Sequence, residues 1–375
     1  MSAGADTCAS SGAGSDVGRR ASGKVDVMTK HRLAVLAPVV APALALGLVL
    51  SGCSSGQGTK ATPEPSKGAG GTIVETSPLT GEVLRDGRPE NPVFLVKIEN
   101  TDAGAPQVGL DQADLVVEEL VEGGLTRLAA LYYSTLPRKV GHVRSMRATD
   151  IGIASPVGGQ IVASGGASGT YGLVKKAGLK VFSEDEGAPG FSSDPAKVRP
   201  YNRLVDLQRL KRAKASDIPG PYLDWTPASG TEASPSASSS ASSSAGTKPR
   251  RVTRASVRFS GSSTTQWKLS RGHWVRTNGH ASREFRADTL VVMFAKVGDA
   301  GYTDPAGNPV PETRMKGSGR AVVLTADGAV ETTWRKKVNR STLSFTTKDG
   351  KPLTIDPGKT WIELVPQGAG ALSLR

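Results

Sequence analysis

Cysteine is nearly missing from this 375-residue chain: Cys8 and Cys53 are the two it has. So few thiols exclude a disulfide framework and a cysteine-built metal centre, both of which need closely spaced sets. Histidine is scarce as well, with four residues. His273 and His280 stand seven apart in GHWVRTNGH with no carboxylate at ligand spacing, so even with Asp288 further on no metal site is expected. The motifs that announce a nucleotide or an activated serine are missing too. Gly317 and Gly319 in MKGSGR lack the glycine run and following lysine of a phosphate-binding loop and read as a surface turn. Ser164 and Ser168 each sit in Ala-Ser-Gly, not in a nucleophile elbow, which disfavours a serine hydrolase. No cofactor is therefore expected.

Acidic charge is in short supply: 34 carboxylates face 47 lysines and arginines, a net charge of +13. In a cytosolic protein such a balance points to nucleic acid. The chain's one long apolar run redirects it. Lys30, His31 and Arg32 precede Leu33 to Leu50, and Leu50-Ser51-Gly52-Cys53 closes the run with small residues before a cysteine. Basic, apolar and small segments in that order form a signal peptide, here of the bacterial lipoprotein type, with Cys53 as the acylated residue. Eighteen apolar residues are also just enough to span a bilayer, but Pro38 and Pro42 weigh against a permanent transmembrane anchor. The polar segment ahead of Met28 has no place in a leader, so Met28 is the expected start. The expected location is the outer face of the cytoplasmic membrane, with membrane lipid, through a fatty acyl group such as palmitate on Cys53, as first partner. Nucleic acid is not expected there; lipid headgroups and wall-linked anionic polymers or glycans are the available polyanions.

Two stretches without apolar periodicity divide the rest. Residues 54–71 read as a flexible spacer, and residues 226–250, rich in Ser, Ala and Pro, as a linker. Between and after them lie an N-terminal domain over 72–225 and a C-terminal domain over 251–375. In the first, PVFLVKIEN reads as a strand and ADLVVEELVEGGLTRLAALYYS as strand, turn and strand about Gly123-Gly124. TDIGIASP reads as a short helix, GQIVASGG as a buried strand entering a loop, and LVDLQRLKRAKA as an amphipathic helix with Leu204, Leu207 and Leu210 three apart. The second domain is a series of short strands: ASVRFS, QWKLS, HWVRT, TLVVMFAKV, RAVVLTADGAVETTWRKK, STLSFTTKDGKPLTI and TWIELVP. Asp327-Gly328 and Asp349-Gly350 mark hairpins. The expected class is α+β, a mixed α/β N-terminal domain and a mainly antiparallel β C-terminal one. Of Trp267, Trp274, Trp334 and Trp361, which could platform a sugar, at least three are expected in the core.

Pro106-Gln107, Gly109-Leu110, Ala113-Asp114, Glu118, Glu122-Gly123-Gly124, Thr126-Arg127 and the run Gly141 to Arg147 follow one another in an order that resembles the YerB-like family of bacterial secreted lipoproteins. That family is a two-region domain of unknown function, and the likeness runs from about Glu75 to Pro366 apart from the serine-rich stretch. It implies the division above and brings no established activity. The chain departs from the pattern at three positions. His142 stands where relatives usually have proline, Met146 where they have a small residue, and Tyr201, before Asn202, where they tend to carry histidine.

The polar groups of EELVEGGLTR and GHVRSMRATD are the candidate site: Glu118, Glu119, Glu122, Thr126, Arg127, His142, Arg144, Ser145, Arg147 and Asp150, with Ser164 in the glycine-rich loop and Asn202. Arg144 and Arg147 converge only if a turn or helix starts near them, with Thr149 or Ser145 as N-cap and Asp150 in the first turn. Free amides and guanidinium forks there would grip a carboxylate or phosphate. The plainer alternative has Arg127 and Arg144 pairing with Glu118 or Glu122 to fasten strand ends. The functional expectation is a noncatalytic envelope binding or structural component recognising an anionic or glycan ligand through Glu118, Glu122, Arg127, Arg144, Arg147, Ser164 and Asn202. The enzyme alternative is a cell-wall hydrolase or transferase using Glu118 or Glu122 as acid or base.

Overall fold

The computed structural model describes residues 75–210, 219–227, 249–304 and 307–375. The leader with Cys53, the spacer and most of the serine-rich linker lie outside them.

The N-terminal region contributes β1 (Phe94–Glu99), β2 (Leu115–Leu120), β3 (Thr126–Tyr132), β4 (Val140–Gly141), helix α1 (Thr149–Ala154), β5 (Gln160–Ala163), helix α2 (Ser168–Lys176), β6 (Val181–Ser183), β7 (Phe191–Ser193) and β8 (Arg203–Val205). The C-terminal region is built from strands: β9 (Arg254–Arg258), β10 (Thr264–Ser270), β11 (His273–Arg276), β12 (Thr289–Ala295), β13 (Val297–Thr303), β14 (Pro309–Thr313), β15 (Gly317–Thr325), β16 (Gly328–Lys336), β17 (Ser344–Thr347), β18 (Pro352–Leu353), β19 (Thr360–Pro366) and β20 (Ala371–Leu374). The class is thus mixed α/β in the first region and mostly β in the second.

The two regions share one sheet. Its eleven strands run β18-β17-β16-β15-β12-β19-β2-β3-β1-β5-β6. The seam is the parallel pair β19 and β2, in register from Thr360 opposite Leu115 to Leu364 opposite Glu119. Both strands are buried on both faces, with Val116, Val117, Trp361 and Ile362 beside the buried Glu118, Glu119 and Glu363. On one side Val116, Trp361, Leu290 and Val322 pack beneath a second sheet, β11-β10-β9-β20, which supplies Val257, Trp267 and Trp274. On the other side Val117, Ile362, Val291 and Val323 meet Ile153 of α1, Met146, Tyr222 and Trp334. Successive residues of each strand alternate between these cores, as the two-residue period of a strand requires. All four tryptophans expected to be core candidates are buried. Lys336 on β16 is buried as well and donates to the Gly152 carbonyl of α1, tying the two regions together on that face. Residues Lys67 to Arg375 form one compact unit.

Gly123 and Gly124, at φ +69° and +71°, make the tight turn from β2 to β3, a left-handed conformation that favours glycine. Asp327-Gly328 joins β15 to β16, and Asp349-Gly350 joins β17 to β18. Two readings are corrected. LVDLQRLKRAKA is not a helix over its described part: Leu204 and Val205 belong to β8, paired with β4 and β7, and only Leu207–Arg209 form a single 3-10 turn. Asp206 starts that turn by accepting from the Gln208 amide at 2.9 Å, and Leu207 and Leu210 are buried, so the three-residue spacing reflects a strand end and one turn. MKGSGR is not a surface turn: Gly317 and Gly319 lie in β15, and Gly319 leaves room for the Trp334 ring and the Phe294 carbonyl, both 2.7 Å from where a Cβ would stand. The hairpin β13–β14, in a Gly- and Pro-rich stretch with little apolar patterning, was not expected at all.

Trp361 lies edge-on to Trp267 at 5.2 Å and to Phe285 at 5.8 Å, between the two sheets. Truncating it empties the centre of the seam, so Trp361→Ala is expected to lower unfolding stability by about 3–5 kcal/mol. Chemical denaturation monitored by far-ultraviolet dichroism checks this; a loss below about 1 kcal/mol would mean that the seam does not carry the fold.

Candidate functional site

The arginine-bearing segment owes its place to backbone bonds at the C-terminal end of β1. Glu99 N–H donates to the His142 carbonyl at 2.9 Å and Arg144 N–H to the Lys97 carbonyl at 2.9 Å, so the chain runs beside β1 before turning into α1. On its other side the Ser164 amide donates to the Arg144 carbonyl at 3.1 Å and the Met146 amide to the Gly165 carbonyl at 3.0 Å. The glycine-rich loop after β5 therefore lies directly against the arginines. Asp150, in the first turn of α1, accepts from the Arg147 amide at 2.7 Å, while the N-cap residue is Ala148, without a side-chain bond.

Glu99, Thr101, Val121, Glu122, Leu125, Arg127, Arg144, Ser145, Arg147, Tyr201 and Asp304 line one cleft of about 340 Å³. Arg147 is held by a two-pronged fork, Nε to Glu122 Oε1 at 2.6 Å and Nη2 to Glu122 Oε2 at 2.7 Å. Arg144 pairs through Nε with Glu99 at 3.2 Å and lies 4.6 Å over the Tyr201 ring. Arg127, opposite both Glu99 and Glu119 in the sheet, reaches the Ser145 carbonyl at 3.3 Å. Burial, followed by the neighbouring Arg147 and Arg144 charges, lowers the Arg127 guanidinium to about 10, so it stays charged at neutral pH. Two of their buried donors, Arg127 Nε and Arg144 Nη1, have no hydrogen-bond partner. Glu122 is lowered despite its burial, because Arg147 holds its ionised form.

Beneath this cleft lies a dry ionic cluster. Lys97, Glu119 and Asp150 are fully buried; Lys97 pairs with Glu119 and, at 2.8 Å, with Asp150. One cation serves two carboxylates there, and burial together with the Asp150 charge, partly offset by Lys97, raises Glu119 to about 7. A neighbouring cleft of about 270 Å³ shares Thr101 and Leu125 with the first and is lined by Glu118, Asn100, Thr126, Thr265, Arg276 and Asn278 among others. Glu118 accepts there from Thr265 Oγ1 at 3.0 Å and Asn100 Nδ2 at 3.0 Å. Across the seam it stands opposite Glu363, which accepts from Trp267 Nε1 at 2.6 Å. Burial first and the Glu118 charge second raise Glu363 well above the ordinary carboxylate range. Glu363 thus keeps its proton to a higher pH than an ordinary carboxyl does.

Two family models match the chain in order, described as the N-terminal domain of a protein of unknown function (DUF3048), over residues 79–219, and the C-terminal domain of the same, over residues 255–362. The chain belongs to the DUF3048 family. It is similar to the Bacillus subtilis (strain 168) protein named "Putative lipoprotein YerB", with 25% identity over 298 residues, which span 77% of this chain and 86% of that protein. It also resembles the crystal structure of the YerB protein from Bacillus subtilis at a TM-score of 0.64 and 20% identity, covering 80% of this chain and 99% of that one, a likeness of fold.

Of the residues singled out in this DUF3048 chain, Glu122, Arg127, Arg144, Ser145 and Arg147 meet in one cleft. Glu118 lies in the adjoining cleft with Thr126, and Glu119 and Asp150 are sealed below. Ser164 and Asn202 are not among the lining residues; Ser164 binds the arginine segment through its backbone, and Asn202, largely buried, accepts from the Asp194 amide through its carbonyl. His142 is buried, with Nδ1 2.7 Å from the Gly104 carbonyl and Nε2 2.9 Å from Asp194, a positioning contact away from the arginines. His273 and His280 pair with different carboxylates, Asp288 at 2.9 Å and Asp102 at 3.2 Å, and no metal-holding group occurs among the described residues. Glu99 and Tyr201 were not anticipated as partners of Arg144. The signal for Glu99 was present, an acid ending an otherwise apolar strand; for Tyr201, 57 positions from Arg144 in sequence, there was none.

The Glu363 proton makes a pH test available. The unfolded chain releases it above the ordinary carboxylate pKa whereas the folded chain keeps it, so this group's contribution to stability is lost as pH rises through and beyond that value. Glu363→Gln keeps a neutral side chain of the same shape and removes the loss. Its thermal midpoint is expected to rise relative to the parent as pH increases from 5 to 8, by about 1.4 kcal/mol of stability per pH unit at most. A gap between the two proteins that is flat over this range would show that Glu363 is ionised in the fold.

Proposed function

We propose that the chain is a lipid-anchored protein of the outer face of the cytoplasmic membrane whose arginine cleft binds a carboxylate or phosphate group of an anionic wall polymer or glycan without turning it over. The leader ending at Cys53 and the name of the similar YerB protein support the location. The observation that carries the binding reading is three guanidiniums lining one cleft open to solvent, two of which, Arg127 at Nε and Arg144 at Nη1, keep a buried donor without a partner among the described residues. A purely structural ion network accounts for Glu122 with Arg147 and Glu99 with Arg144 but leaves those two donors without acceptors, a cost that an incoming anion removes. Asp304 at the rim and the two glutamates offset the three guanidiniums, which favours a small, geometrically matched anionic group over indiscriminate polyanion binding.

The chemistry of the carboxyls argues against the hydrolase alternative. A general acid needs a raised pKa and access to substrate. Glu122 is held ionised by Arg147, and Glu363 and Glu119, whose pKa values are raised, are fully buried.

Removing one charge-assisted donor set lowers affinity by roughly 1.5–3 kcal/mol. Arg144→Ala is therefore expected to reduce retention on purified cell-wall fractions at least tenfold, measured on protein whose far-ultraviolet dichroism shows it folded, since the change also takes the ion-pair partner from Glu99; unchanged retention would contradict the anion site. Labelled peptidoglycan incubated with the parent protein is expected to release no fragments, and measurable turnover would contradict a binding-only role.

A further inference from the structure

The outer face of the sheet β11-β10-β9-β20 carries positive charge in an arrangement that costs the folded chain energy. Its inner face holds Ala255, Val257, Trp267 and Trp274, buried in the core, so the alternate residues point outward. Lys268 of β10 stands directly opposite Arg254 of β9. Arg254 and Arg375 exchange both backbone hydrogen bonds at 2.9 Å, which puts a third cation in the same row. The next rows along the strands are Gln266, Ser256 and Ser373, then Thr264, Arg258 and Ala371. Arg254, Arg258, Lys268 and Arg375 are exposed, and none of them makes an ion pair among the described residues. No acidic residue occurs in these three rows. A depression of about 390 Å³ opens among them, lined by Arg254, Arg375, Ser256, Ser373 and Gln266 together with Thr277.

Like charges directly opposite one another destabilise a sheet. Three in one row, with hydroxyl and amide donors beside them and no acidic side chain, match a surface of phosphate groups in both charge and hydrogen-bonding sense. We propose that this face docks on the anionic phospholipid headgroups of the membrane that carries the chain. The choice of lipid as occupant rests on the anchored reading above: Glu75, where the described structure begins, lies 22 positions after Cys53, so the tether spans at most about 75 Å. The face shares no lining residue with the arginine cleft, which leaves the cleft available for a wall ligand while the protein is docked.

Vesicle co-sedimentation of the compact unit 67–375 separates this docking from the anchor. The protein is expected to bind vesicles of phosphatidylglycerol and phosphatidylcholine, to ignore vesicles of phosphatidylcholine alone, and to be released by high salt. Lys268→Glu is expected to cut retention at least tenfold while raising the melting temperature, because it sets a carboxylate opposite Arg254. A merely structural role for Lys268 would not move these two readouts in opposite directions. Lys175→Gln with Lys176→Gln, removing two exposed charges from α2, and Arg144→Ala in the cleft are each expected to leave vesicle retention within twofold. The proposal is overturned if the parent binds neutral vesicles equally, if it binds anionic wall polymer but not anionic vesicles, or if the α2 variant loses as much as Lys268→Glu. Loss of wall retention in Arg144→Ala with vesicle retention intact supports both readings; intact vesicle retention with no wall binding in the parent overturns the cleft alone.

Discussion

Parallel pairing of β19 with β2 is the contact on which the rest of the molecule depends. It joins strands that lie some 240 residues apart in the chain into one sheet, and it does so with side chains buried on both faces. Because Trp361 and Ile362 point into opposite cores, each core contains residues from both regions, and neither region's apolar surface is covered without the other. The long serine-rich stretch between them is thus a connection between two parts of one sheet.

The seam also sets the electrostatics. Glu118 and Glu363 meet across it, out of water, and Glu363 keeps its proton to a higher pH than an ordinary carboxyl does; Glu119, one position on, faces the opposite core and meets Lys97 and Asp150. Burying so many ionisable groups at the ends of adjacent strands is expensive unless each finds a partner. Most do, through Thr265, Trp267, Asn100 and Lys97. The cleft above is where the partners run out, with three guanidiniums, two glutamates beside them, and donors on Arg127 and Arg144 left over. Those two donors belong to side chains that line a cleft open to solvent.

Strands with strong branched or aromatic content were legible from the sequence, as were the Gly123-Gly124 turn, the Asp-Gly hairpins and the buried tryptophans, because local pattern and tertiary environment agree there. Leu204 to Leu210 misled because three-residue spacing fits a helix, while pairing with β4 and β7 decides the matter and leaves no local trace. The β13–β14 hairpin is held by cross-strand bonds in a stretch with little apolar content, so periodicity does not report it. At the site, the convergence of Arg127, Arg144, Arg147 and Glu122 followed from a turn before α1, which Asp150 signalled, although the N-cap is Ala148 and neither Thr149 nor Ser145 as expected. Glu118 was displaced from that group because alternation along β2 turns it toward Thr265 and the seam. Ser164 was drawn in by its glycine-rich loop, yet it is the loop's backbone that touches the arginines.

The proposed anion site depends on phosphate reaching the arginines of the cleft. The most direct measurement is titration of the protein with inorganic phosphate while following the arginine Nε–Hε resonances by NMR. The account predicts saturable shifts confined to Arg127 and Arg144, with Arg147 held in its Glu122 fork and little changed. Shifts spread evenly over the exposed arginines, or none at Arg127 and Arg144 up to saturating salt, would contradict it.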